Sequence, residues 1–60
     1  MSPKSLALWR ERLGLNKAEA CRALGLARNT LDAYETGRNP IPLYIALACA
    51  AVAYGLPPMR

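Results

Sequence analysis

"NKAEACRALGLARNTLDAYETG", Asn16 to Gly37, holds two helix-length segments with a glycine between them. Asn16 followed three positions later by Glu19 has the form of a capping box, with asparagine in place of serine or threonine. It predicts a helix of about two turns over 17–24, with Ala20, Cys21 and Leu24 as its one narrow apolar face and Gly25 as its end. The next segment, over about 28–36, places Leu31 and Tyr34 inward and closes on Gly37, which suits the left-handed C-terminal position. Its opening is weaker, because Ala27 stands where a capping Ser or Thr belongs, at a cost of about 1 kcal/mol. Two short helices joined by the tight "LGL" turn, the second opening on polar Arg28 and Asn29, make the helix-turn-helix pattern.

Upstream, Ser2 followed by Pro3 is a cap with proline in the first turn, and Leu6, Trp9 and Leu13 recur at helical spacing until Gly14. Downstream of "GRNPIP" the composition changes abruptly. No charged residue occurs from Ile41 to Leu56, and "LYIALACAAVAY" is apolar all the way round a helix until Pro57 and Pro58 end it. A fourth helix is predicted over about 42–54. With no convincing strand, repeat or low-complexity linker, residues 1–60 are expected to form one all-α domain, a compact four-helix unit.

Sixty residues bury one small core, which is marginal without help from a partner or a staple. The net charge of +4 and a pI near 9.6 favour a polyanionic partner, without separating nucleic acid from an anionic membrane. Neither Cys21 nor Cys49 has a histidine or a second thiol nearby, so no metal site is expected, and both read as small packing thiols. Histidine, the commonest general base, is absent, and the four carboxylates are spread along the chain. No active site and no cofactor are expected: the chain does not read as an enzyme. The opening "MSPKSLALWRERLG" becomes charged after a few apolar residues, which fits no cleavable signal. A cytoplasmic location with reduced thiols is the expectation.

Taken together, "RERLGLNKAEACRALGLARNTLDAYETGRNP" resembles the helix-turn-helix of phage Cro and C1 repressors, the XRE class, over about Leu6 to Val52. The resemblance implies a lambda-repressor-like fold and a role for each matching residue. Arg10 and Glu35 match a largely buried ion pair tying helix one to the end of helix three, and Arg10 is also expected to help orient contacts to DNA phosphates. Arg28 and Asn29 match the first exposed positions of the recognition helix. Their chemistry fits contact with base edges, since arginine pairs bidentately with guanine and asparagine with adenine. Asp32 and Ala33 follow one turn later. Ala33 is expected to meet a thymine methyl, while Asp32 either accepts from cytosine or orients Arg28 through an i, i+4 pair, and both readings stay open. Lys17 joins the base-contacting set. It stands with Asn16 at the start of helix two, where N–H groups and the helix dipole favour a phosphate. Arg38 and Asn39, in the turn after helix three, are the second phosphate clamp.

Members of that class commonly continue into a fifth helix, whereas this sequence stops shortly after "GLPP", so helix four is expected to serve two surfaces. Ile45, Ala48, Cys49 and Val52 are placed inward. Leu43, Tyr44, Leu47, Ala51 and Tyr54 are left for a homodimer interface, although which face forms it stays open. "NPIPLYIALACAAVAYGLPP" is also similar to the Pro-flanked last helix of short anti-CRISPR-associated regulators of phages and mobile elements. The expected function is a dimeric autorepressor that reads a palindromic double-stranded DNA operator, with no small-molecule ligand and no membrane. Two alternatives stand beside it. One is an antitoxin-like module that binds another protein through helix four, with DNA contact secondary. The other is a tail anchor over Ile41–Met59, which its prolines shorten to about 14 residues of clean helix, fewer than the roughly 20 a span requires.

Overall fold

The computed structural model describes residues 1–59, so Arg60, the end of the expected 1–60 domain, lies outside the described residues. Four helices follow in order: α1 Pro3–Arg12, α2 Lys17–Leu24, α3 Arg28–Glu35 and α4 Leu43–Ala53. There is no strand among the described residues. Each boundary has a local cause. The Ser5 N–H donates to the Ser2 hydroxyl ahead of Pro3, which starts α1. Both halves of the α2 capping box form: the Glu19 N–H donates to Asn16 Oδ1 at 2.8 Å, and the Asn16 N–H donates to Glu19 Oε1 at 2.9 Å. No side chain caps α3, where Ala27 occupies the N-cap.

Gly25 ends α2 in the left-handed region, φ +69°, and Leu26 then donates to the Cys21 carbonyl. A Cβ at Gly25 would meet nothing within 4 Å, so only the backbone conformation resists a side chain there. Gly25→Ala is therefore expected to destabilise the fold by about 1–2 kcal/mol, the left-handed penalty of an L-residue. In a thermal melt that corresponds to a fall of roughly 4–8 °C per kcal/mol for a domain of this size.

Leu6, Ala20, Cys21, Leu31, Tyr34, Ile45 and Cys49 form the buried core, with Trp9, Leu15, Leu24, Leu26 and Ile41 packed around it. Helices α1 and α2 both pack on α3, and α2 also packs on α4. The Trp9 indole N–H donates to the Cys49 carbonyl at 2.8 Å, which ties α1 directly to α4 and satisfies a half-buried donor. Leu13 departs from the sequence expectation. It is the C-cap of α1 and is exposed, because the helix stops at Arg12 and Gly14 turns the chain so that Leu15 packs on the core instead.

On α4, Ile45 and Cys49 are buried and Ala48 and Val52 half-buried, while Leu43, Tyr44, Leu47 and Tyr54 are exposed. Ala51 does not join that exposed set. It is half-buried and lines an apolar groove of about 290 Å³ with Ala23, Leu24, Val52 and Leu56, since its place in the helical turn points it beside α2. At 11 residues α4 is about 16 Å long. No described helix is long and apolar enough to cross a membrane.

Candidate nucleic-acid interface

The turn between α2 and α3 brings the first residues of both helices to one surface. Lys17, the first residue of α2, places its Nζ 3.0 Å from Asp32 Oδ1 on α3. Arg28, the first residue of α3, places its Nε 4.0 Å from the same oxygen. One carboxylate thus faces two cations from different helices. The Lys17 hydrogen bond is the main cause that holds the Asp32 carboxyl below its ordinary value of 3.8, and the charges of Lys17, Arg28 and Arg38 add to it against the opposing effect of burial.

A carboxylate whose folded pKa lies below its unfolded one stabilises the fold above the ordinary carboxylate range and loses that contribution as pH falls through the lowered value. The melting-temperature difference between the wild type and Asp32→Asn is therefore expected to stay constant around neutral pH and to close below about pH 3.8. A difference that widened in acid would contradict the Lys17–Asp32 contact.

Asn29 lies one residue further along α3 and borders an open concavity of about 320 Å³ with Thr30, Ala33, Arg38 and Asn39. The concavity exists because the chain after Gly37 folds back: the Asn39 N–H donates to the Ala33 carbonyl at 3.2 Å. Arg38 and Asn39 are thereby held beside the polar face of α3 and both are exposed. Thr30, which sequence reasoning passed over, joins this surface because it sits one position past Asn29 on the same turn of α3.

Three expected contacts change. Ala33 is buried, at 6 % exposure, since the returning turn covers its face of the helix, and its methyl is not presented to a base. Arg10 is occupied inside the fold. Its Nε donates to Glu35 Oε2 at 3.0 Å, its Nη2 to Glu35 Oε1 at 3.2 Å and its Nη1 to the Leu15 carbonyl at 3.3 Å. The pair is 18 % and 10 % exposed, which removes Arg10 from the phosphate contacts. The N-terminus of α2 already carries the Glu19 carboxylate, and the Asn16 and Glu19 N–H groups are taken up in the capping box, so the site for an anion narrows to the Lys17 and Ala18 N–H groups and the Asn16 side-chain amide.

The carboxylates are largely engaged: Glu35 with Arg10, Asp32 with Lys17, and Glu19 in the α2 cap. Among the described residues no group of three or more His, Cys, Asp or Glu side chains is placed to hold a metal ion. The exposed donors of the surface are instead Arg28, Asn29, Arg38 and Asn39, presented by a short helix and the turn that follows it. Arginine and asparagine at a helix start are suited to base edges, and a basic turn beside them to the sugar–phosphate backbone.

A family model described as a helix-turn-helix domain matches residues 5–60. No curated protein and no solved structure matches the chain.

Proposed function

The chain belongs to the helix-turn-helix domain family, and on that footing we propose that it is a sequence-specific double-stranded DNA-binding regulator that acts as a homodimer. The observation that carries the DNA reading is the exposed set Arg28, Asn29, Arg38 and Asn39 gathered at the start of α3 and the turn beyond it. In this reading α3 enters the major groove, Arg28 and Asn29 meet base edges, and Arg38, Asn39 and the Asn16 amide fix register on phosphates. Lys17 stands beside Arg28 through their shared carboxylate. No catalytic role is proposed: three of the four carboxylates, Glu35, Asp32 and Glu19, are engaged by Arg10, Lys17 and the α2 cap.

The dimer rests on α4. Leu43, Tyr44, Leu47 and Tyr54 are all more than 60 % exposed, an apolar face that is a liability on a monomer. A twofold contact along α4 covers it with its own copy and adds burial that a core this small needs. Burial, and then the neighbouring Tyr44 phenol, push the Tyr34 hydroxyl above its ordinary value. Each protomer measures 31 × 22 × 18 Å, so two side by side can set their α3 helices about one DNA turn, roughly 34 Å, apart. Leu47→Glu is expected to leave a folded monomer in sedimentation while the wild type runs as a dimer, with operator affinity falling at least tenfold. A wild type that sediments as a monomer would remove the dimer, and a stoichiometric partner of different mass would assign α4 to another protein.

Steric occlusion of a promoter, the protein's own first of all, follows from such binding, with regulation by concentration through the monomer–dimer equilibrium. The assignment to a phage or mobile-element operon rests on the likeness of the Pro-flanked last helix to short anti-CRISPR-associated regulators. The test is a titration of the protein against the DNA upstream of its own gene and against an unrelated duplex of equal length, at two salt concentrations. Tight binding to the first that persists at the higher salt, with a protected palindrome, supports the reading. Equal binding to both that collapses with salt reduces it to phosphate attraction.

A further inference from the structure

Asp32 is an acidic side chain on a surface that otherwise offers donors to a polyanion. Its side chain is 35 % exposed and those of Lys17 and Arg28 are 39 % and 57 % exposed, so all three stand at the surface where DNA is placed. A direct contact to cytosine would fall to Asp32 Oδ2, since Oδ1 already faces Lys17 and Arg28, and a carboxylate near phosphates is repelled. The geometry gives it another use. Asp32 lies nearest the Nε of Arg28, which leaves the two Nη groups to reach O6 and N7 of guanine. Lys17, held at 3.0 Å, is drawn towards α3.

Resting on the DNA-binding reading, we propose that Asp32 is a positioning residue for DNA specificity: one carboxylate clasps Lys17 of α2 and Arg28 of α3, aims Arg28 at a base edge and withholds both cations from phosphates. Non-specific binding depends on the number of phosphates neutralised. The clasp reduces a cluster of two positive charges to one, which weakens attachment to any duplex. At a matching site the guanidinium offsets that loss, because the carboxylate beside its Nε favours the conformations that point the Nη groups outward. The difference between the two complexes is the specificity.

The experiment takes a duplex selected by the wild type from a randomised pool and an unrelated duplex, and measures affinity for both across a salt series. Asp32→Asn is expected to strengthen binding to the unrelated duplex, to steepen its log–log salt dependence by about one unit per added phosphate contact, and to lower the specificity ratio about tenfold, within the range of one bidentate base contact. In a Lys17→Gln background the change in slope is expected to shrink, since one released cation is gone. Asp32→Glu, which keeps the carboxylate, is expected to recover part of the ratio, and circular dichroism confirms that each variant is folded. An unchanged slope and ratio in Asp32→Asn overturn the proposal. So does a loss confined to one base pair and indifferent to Lys17→Gln, which is the signature of a direct cytosine contact. If the wild type selects no sequence at all, the DNA-binding reading fails first and the clasp with it; if the wild type selects and Asp32→Asn selects equally well, only the clasp fails.

Discussion

Replacing Arg28 and Asn29 together by alanine is expected to bring operator binding down to the level of an unrelated duplex while leaving the fold intact. Both side chains are exposed at the first two positions of α3, and neither packs in the core. Alanine there also improves helix propensity slightly, so the melting temperature should hold or rise. A well-placed bidentate contact contributes about 1–3 kcal/mol of discrimination, so the pair is worth roughly 2–6 kcal/mol per protomer. The salt dependence separates the two kinds of contact. Arg38→Ala is expected to weaken binding to operator and unrelated duplex alike and to flatten the salt slope, as loss of a phosphate contact does. Unchanged affinity and selectivity in the Arg28/Asn29 double variant would sink the placement of α3 in the major groove.

The parts of this surface that the sequence discloses are those encoded locally. Capping at Asn16 and Glu19, the left-handed glycine at 25 and the inward spacing of Leu31 and Tyr34 are all relations within four residues, and the four-helix, all-α architecture follows from them. The exposed side of α4 was likewise legible at Leu43, Tyr44, Leu47 and Tyr54, although a helix apolar all round gives periodicity little to work with, and Ala51 fell on the other side. Contacts between helices were legible only through the family resemblance, as with Arg10 and Glu35. The Lys17–Asp32 contact joins residues 15 apart on different helices, and no local spacing signals it. The same reason hid Leu15, Leu26 and Ile41, which pack on the core from connecting segments where neither helical nor strand periodicity applies. Ala33 failed for a different reason: its exposure depends on how the turn after α3 returns, and that turn is fixed by the backbone bond from Asn39 to Ala33.

Glu35→Ala is expected to be as destabilising as truncating a core side chain. Glu35 closes the C-terminal end of α3 and receives two hydrogen bonds from one guanidinium, at 3.0 and 3.2 Å, in a site where the two side chains are only 10 % and 18 % exposed. The hydrogen bond from Arg10 to Glu35 outweighs burial and raises the Arg10 pKa, so the guanidinium stays charged in the fold. Removing the carboxylate leaves that charge with the Leu15 carbonyl, at 3.3 Å, as its remaining partner. Breaking a buried pair costs about 3–5 kcal/mol; residual water access lowers this to roughly 2–4 kcal/mol. A domain of this size has only about 3–5 kcal/mol of core stability in total. The variant should therefore melt near or below physiological temperature, as read by circular dichroism. A melting temperature within a few degrees of the wild type would show that the pair contributes little. The paired replacement Arg10→Met with Glu35→Leu removes both charges together and is expected to regain most of the lost stability, because no orphaned charge remains. Operator affinity then decides what the pair is for. If stability returns and affinity does not, the fork between Arg10 and Glu35 sets the angle at which α3 leaves α1, and with it the aim of Arg28 and Asn29 at the other end of the same eight-residue helix. If both return, hydrophobic packing of α1 on α3 is sufficient to seat the recognition helix, and the ion pair acts through stability alone.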